Sequence, residues 1–327
     1  MLYYTPMPSS QKISSKIELV TINNPGTPNI LEWFNVVNAG KNEIEFLRKK
    51  FNFDFQHLKA SSALSSSQRP LLSNAGDYIF LILHFPTLNN GAIHINEIEF
   101  FIGHGYMVTI HNNNLPSLNN LFSLAKKNPE SLYSYHLDSS AILLSEILDR
   151  LIQSTYEILD QNGKAIDSVE ELIFSDDRNS AIGDILQLRH NLINIRKIMQ
   201  NHKNILKKLK EVESSIVPDK EVKDRYADLI EHSIRIWETL ENQREMTEVL
   251  NATNESLINR QLNYIMKTLT VISVITFPLT LLAAIFGMNA RHMPFVEGPY
   301  GFYIIISLMT LLSFFMLIFF YRKNWLK

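Results

Sequence analysis

Two stretches near the end of the chain, residues 268–290 and 298–321, contain no side chain that is charged at neutral pH. Each is longer than the roughly 20 apolar residues with which an α-helix crosses a hydrocarbon core of about 30 Å. The link between them, residues 289–299, is too short to be a domain and holds Pro294, Gly298 and Pro299. The chain is therefore expected to end in a transmembrane hairpin. Its first span would be 263–287, its outer loop 288–299, its second span 300–321 and its basic tail 322–327. The turn opens on Gly287-Met288-Asn289.

Charge sets the orientation. Arg322, Lys323 and Lys327 flank the second span, and Arg260 and Lys267 precede the first, whereas the loop carries Arg291, His292 and Glu297. Positive charge close to a span end is retained in the cytoplasm. Both termini are expected on that side of the cell's inner membrane, in a multi-pass protein with the turn outside. The first thirty residues lack a positive segment followed by an apolar core, so no cleavable signal is expected.

The rest of the chain, roughly 260 residues, suffices for one large or two small soluble domains. A formal charge of -2 argues against a nucleic-acid partner, and the absence of cysteine excludes disulfides and thiolate metal sites. The ten histidines show no paired spacing on one helix. Gly103-His104-Gly105 has no Gly-Lys-Ser/Thr after it and is no phosphate loop. No constellation supports an enzyme, and no nucleotide motif supplies a pump.

The expected fold is an α+β cytoplasmic domain, a long stalk helix and the C-terminal hairpin. Tyr78-Ile79-Phe80-Leu81-Ile82-Leu83, Ile98-Glu99-Phe100-Phe101-Ile102 and Tyr106-Met107-Val108-Thr109-Ile110 read as adjacent strands of one sheet. Asn89-Asn90-Gly91 and Gly103-His104-Gly105 fit the turns between them. Ile30-Leu31-Glu32-Trp33-Phe34 and Ile44-Glu45-Phe46-Leu47 read as helical pieces, and 61–73 as a Ser-rich surface connector. These make an N-terminal α/β domain at 1–128.

Antiparallel helices are expected over 129–217. Leu143, Leu144, Ile147, Leu148, Leu151 and Ile152 keep one apolar helix face. An acidic arm (Glu157, Asp160, Asp167, Glu170, Glu171, Asp176, Asp177) reverses near 175–180 into one basic helix over 185–212. The arms are either solvated by opposite charge or, on the acidic side, a surface that attracts cations. A stalk helix at 218–262 follows Pro218, with Asp219 as N-cap. Val222, Tyr226, Leu229, Ile236, Leu240, Leu250, Leu257 and Ile265 keep three-and-four spacing along it, and Gln243, Thr247 and Asn254 interrupt the stripe. It runs into the first span either unbroken, about 100 Å in all at 1.5 Å per residue, or with a hinge near 251–254.

Two spans cannot enclose a water-filled path, so transport requires an oligomer of more than two copies. Asn263-Tyr264-Ile265-Met266-Lys267-Thr268-Leu269-Thr270, then Pro278-Leu279-Thr280, Gly287-Met288-Asn289 and Met293-Pro294, resemble the pore helix and turn of the CorA-type magnesium transport family. The tail with Trp325-Leu326, and Tyr106-Met107-Val108-Thr109-Ile110-His111 as a last cytoplasmic strand, resemble that family too. The resemblance covers about residue 75 to the end.

It implies a homopentamer in the lipid bilayer that passes Mg2+, with Co2+ or Ni2+ as alternative octahedral cargo. Gly287, Met288 and Asn289 would form the selectivity ring. Mg2+ sheds water reluctantly, and a ring of Asn289 carbonyls would hold the hydrated ion. An Asn at that place is also a good helix C-cap. Asn263, Met266, Leu269, Ser273, Phe277 and Thr280 would line the pore. Met266 and Leu269 would close it by dewetting, while Phe277 is bulky enough to face a neighbour instead. Lys267 would join a basic collar or snorkel to the interface.

The resemblance also places a regulatory intracellular Mg2+ at Asp228, with Glu231 one turn on, bridging subunits to favour a closed state. Two departures stand out. Asn89 and Asn90 occupy the expected place of the partner carboxylate, for which Glu97 or Asp77 would have to substitute. Arg291-His292 stands where an acidic residue often follows the tripeptide. Zinc-transporting relatives, and a membrane-tethered structural or signalling protein with the hairpin as anchor, are the alternatives.

Overall fold

The computed structural model describes residues 10–23, 30–62, 68–127, 139–175, 180–212, 220–288, 298–323 and 325. They fall into two compact units, Met1–Leu250 and Asn251–Lys327.

The first unit is built on a seven-stranded sheet. Its strands are β1 (Ser10–Lys12), β2 (Ile17–Asn23), β3 (Ile30–Val37), β4 (Leu71–Asn74), β5 (Tyr78–Asn89), β6 (Ala92–Gly103) and β7 (Tyr106–His111). Their order is β1-β2-β3-β7-β6-β5-β4, and β3 with β7 is the one parallel pair. The three strands read in the sequence are neighbours, as expected. Asn90 (φ 50) and Gly91 (φ 78) make the left-handed pair that a tight hairpin needs.

Helices α1 (Lys41–Phe51) and α2 (Phe55–Ala60) cover one face of the sheet. Phe34, Phe80, Phe101 and Val108 from the strands meet Leu47 and Leu58 there. The other face packs under α3 (Pro116–Lys127), α4 (Ser140–Phe174), α5 (Ala181–Met199), α6 (His202–Glu211) and the start of α7 (Lys220–Phe286). Along β5, Ile79, Leu81, Leu83 and Phe85 face this larger core, while Tyr78, Phe80 and Ile82 face the smaller one. A strand buried on both faces reads as an unbroken apolar run.

That double burial corrects one expectation. Residues 30–34 are not helical but begin β3. Leu31 and Trp33 enter the larger core and Phe34 the smaller, so the apolar run carries no clear period. The connector at 61–73 likewise ends in an edge strand, β4, paired with β5; residues 63–67 lie outside the described part. The basic helix expected over 185–212 is two helices, broken at Gln200-Asn201. Asp176, Asp177, Pro218 and Asp219 lie outside the described residues.

Helix α7 runs over 67 residues, helical through 251–254, and it contains Pro278. Val222, Tyr226, Leu229, Ile236 and Leu240 enter the larger core. Tyr226 donates its hydroxyl to the Ala141 carbonyl at 3.1 Å, and Tyr156 reaches the His232 carbonyl at 3.1 Å. Gln243, one of the polar interruptions of the stripe, accepts from Asn162 at 3.1 Å and donates to the Leu159 carbonyl at 2.8 Å. The interruption is thus a hydrogen-bonded seam between α7 and α4.

A buried polar chain ties β3 to β7. Trp33 donates to Thr109 at 3.1 Å, Thr109 donates to Asn35 at 2.9 Å, and His111 Nε2 lies 2.9 Å from the same Asn35 oxygen. The Asn113 amide donates to His111 Nδ1 at 3.0 Å, which leaves the ring proton on Nε2. His202 from α6 is wholly buried and donates to the His84 carbonyl at 2.8 Å. Burial lowers the pKa of both His111 and His202 from 6.5 to about 4.

An unfolded imidazole titrates near 6.5, so between the two values only the unfolded chain takes up the proton. Stability is complete above pH 6.5 and falls toward pH 4, by about 1.4 kcal/mol per pH unit for each histidine. Unfolding followed by tryptophan fluorescence should show this acid slope, and His202→Asn should reduce it by about one proton. An unchanged slope in that variant would rule out His202 as a source.

Candidate ion pathway and regulatory carboxylates

The second unit holds the end of α7 and α8 (Gly301–Arg322). Both helices are long and apolar enough to cross a membrane. Helix α7 stays helical past Pro278, although proline deprives the Val274 carbonyl of its usual amide donor. After α8, the Trp325 amide bonds the Phe320 carbonyl at 3.0 Å. The Lys267 ammonium stands 6.0 Å from the Trp325 ring centre. The start of the first span therefore lies beside the end of the second, as an antiparallel hairpin requires.

Burial gives α7 two sides within this unit. Lys267, Val271, Ile275, Pro278, Leu279, Leu282 and Phe286 form its covered edge, with Val271 the most enclosed. Asn263, Met266, Leu269, Ser273, Phe277 and Thr280 lie on average about 160° away, counting 100° per residue. Five of these six are exposed and Ser273 is half-buried. Phe277, at 72% exposure, points away from the covered edge. A wholly apolar helix would offer no such division. Here polar Asn263, Ser273 and Thr280 are interspersed with Met266, Leu269 and Phe277 on one side.

The Thr280 hydroxyl donates to the Thr276 carbonyl at 2.9 Å. Its proton is thereby occupied, and its oxygen lone pairs remain as acceptors. At the outer end, the Gly287 amide bonds Ala283 O at 2.9 Å and the Met288 amide bonds Ile285 O at 3.3 Å. A Cβ on Gly287 would sit 3.0 Å from Ala283 O. Close approach to its own helix, not a left-handed conformation, is what favours glycine here. Met288 is exposed, and Asn289, Arg291, His292, Met293, Pro294 and Glu297 lie outside the described residues.

Asp228 and Glu231 are both exposed on α7 within the first unit. Glu231 is ion-paired with Arg235 one turn on. Asp77 is exposed in the turn before β5. Glu97 is already engaged: it accepts from the Gln68 amide at 2.7 Å and lies 2.9 Å from His84 Nε2. Among the described residues, no three acidic or histidine side chains come together to hold a metal ion.

Sequence reasoning missed Glu99. It shares a strand face with Glu97 and is 6% exposed; burial pushes its carboxyl pKa well up, and the Glu97 carboxylate adds to that shift. The signal was present as two acids two apart on a strand.

Residues 29–322 match the family model of the CorA-like Mg2+ transporter protein. The chain is 25% identical over 325 residues to the putative metal ion transporter YfjQ of Bacillus subtilis, covering 99% of this chain and 98% of that one. It is 23% identical to the cobalt/magnesium transport protein CorA of Thermotoga maritima, covering 90% and 83%. The solved structure of the CorA magnesium transporter from Methanocaldococcus jannaschii superposes with a TM-score of 0.80 at 22% identity, over 90% of this chain and 91% of that one. This chain belongs to the CorA-like Mg2+ transporter family.

Proposed function

We propose that the chain forms a homopentamer in the cell's inner membrane, with both termini cytoplasmic, and passes hydrated Mg2+ along the axis between copies of α7. Divalent cation transport is the activity of its family. The observation that carries the finer reading is the polar-punctuated side of α7, set opposite the covered edge and ending at Gly287-Met288. Repeated around an axis, that side would stack Asn263, Met266, Leu269, Ser273, Phe277 and Thr280 as rings. Neutral oxygen acceptors suit an ion that keeps its water shell. The Asn289 side-chain carbonyl, with the Gly287 and Met288 carbonyls, would supply the outermost ring.

Co2+, which the name of the Thermotoga maritima relative carries beside magnesium, is a second substrate on this reading, and Ni2+ shares its octahedral preference. The basic residues flanking both spans support the orientation, and the 6.0 Å approach of Lys267 to the Trp325 ring brings the two basic ends to one side. Control is assigned to Asp228 and Glu231. An intracellular Mg2+ shared between subunits would draw Glu231 from Arg235 and hold neighbouring copies together; its loss would leave like charges apposed and favour opening.

Mg2+ uptake into proteoliposomes at controlled potential tests the ring. Asn289→Ala should lower the initial rate at least about tenfold while the oligomer stays intact. Undiminished uptake would remove Asn289 from the pathway. Asp228→Asn should raise the internal Mg2+ needed for half-inhibition roughly threefold or more. An unchanged inhibition curve would refute the regulatory assignment and leave the pore untouched.

A further inference from the structure

The β5–β6 hairpin, α4 and α5 enclose a cavity of about 310 Å³, within the size range of small-molecule sites. Hydrogen bonds hold its walls together. Asn191 of α5 accepts from the Ile93 amide at 3.2 Å and donates to the Gly91 carbonyl at 2.8 Å. Gln187, one turn earlier, donates to the same carbonyl at 3.1 Å and to the Asn191 oxygen at 3.2 Å. On α4, Asn162 donates to Gln243 at 3.1 Å, and the Ser168 hydroxyl donates to the Lys164 carbonyl at 3.0 Å.

These bonds leave the wall lopsided. The amide nitrogens of Asn162, Gln187 and Asn191 and the Ser168 hydroxyl are all engaged as donors. The side-chain oxygens of Asn162 and Gln187 accept nothing, and the Asp184 carboxylate is in no ion pair or hydrogen bond. Asn162 is 6% exposed, and its unpaired oxygen keeps that surface at the cavity instead of being sealed in the interior. A nearly buried carbonyl without a donor is a group that a bound ligand would satisfy. Among the described residues no lysine or arginine lines the cavity. The first turn of α5 contributes roughly half a positive charge, which the whole charge of Asp184 outweighs. Apart from the exposed Gln161, the remaining wall is Leu88, Ile93, Ile158, Ala165, Val169 and Leu188. A hydrated metal ion has nothing to bond on such a surface, whereas methylene groups are stabilised by burial against it.

We propose that this cavity binds a short primary alkylammonium. An ammonium group carries three donors and no acceptor. The Asn162 oxygen, the Gln187 oxygen and the Asp184 carboxylate are three acceptors without donors. The aliphatic chain would lie against Ile93, Ile158 and Val169. Every residue of the site belongs to the first unit, and none belongs to the assigned ion pathway or to the Asp228 and Glu231 pair. The site goes beyond the transport reading and does not depend on it.

Saturation-transfer NMR of n-butylammonium with the purified full-length protein in detergent, with a chelator in place of Mg2+, tests this directly. Saturable binding with a Kd on the order of 1 mM is expected. The neutral analogue n-butanol should bind at least about tenfold more weakly. Asp184→Asn should weaken the ammonium by about fivefold or more, and because Asp184 is exposed the variant should fold. Ala165→Phe, which fills the cavity, should abolish binding, while Asp228→Asn should leave it unchanged. No saturable binding to about 20 mM, equal binding of n-butanol, or a loss in Asp228→Asn without one in Asp184→Asn would overturn the proposal. Because the readout is binding of an ion the pore is not assigned to pass, failure of the transport assignments cannot mimic these results.

Discussion

One unbroken helix has to satisfy two solvents. Helix α7 begins as an amphipathic strip, with Tyr226, Ile236 and Leu240 fully committed to the soluble core, and ends as a span without a charged side chain after Lys267. In water its first half is stabilised by one buried stripe. In a membrane its second half satisfies its backbone groups internally except at the Val274 carbonyl, which Pro278 leaves without an amide donor, and side-chain polarity distinguishes one face from another. The change in solvent is therefore written as a change in where polar residues sit. Gln243 and Thr247 are inward hydrogen-bonding positions, whereas Asn263 and Thr280 lie on the side left uncovered.

The sheet explains why that first half can be held so firmly. A sheet buried on both faces cannot shift register without moving apolar side chains out of one core or the other. The chain Trp33–Thr109–Asn35–His111 adds a hydrogen-bonded key across the single parallel pair. Helix α4 rests on this sheet and is seamed to α7 through Asn162, Gln243 and Tyr156. The start of α7 is thus referenced to a rigid body.

Much of this was legible. The two spans follow from length and absence of charge, and the residues that share the uncovered side of α7 from three-and-four spacing. Strands β5, β6 and β7 follow from β-rich runs bounded by Gly and Asn. The failures share one cause: burial on both sides removes the periodicity that identifies an element. Residues 30–34 look helical for that reason, although β-pairing with β2 and β7 claims them. The break at Gln200-Asn201 is illegible because neither residue forbids a helix; His202 turning in to meet the His84 carbonyl, 118 positions away, accompanies it.

By itself the sequence determined that the chain spans a membrane twice, that its body is α+β, and which residues share a helix face. These are local properties, set by composition and by the 3.6-residue period. The tertiary structure alone decided which face of α7 is covered, that Glu97 is bound to His84, and that the Ser233 hydroxyl is left without a hydrogen bond. Those outcomes depend on groups brought together from distant parts of the chain, and no local pattern encodes which of them will meet.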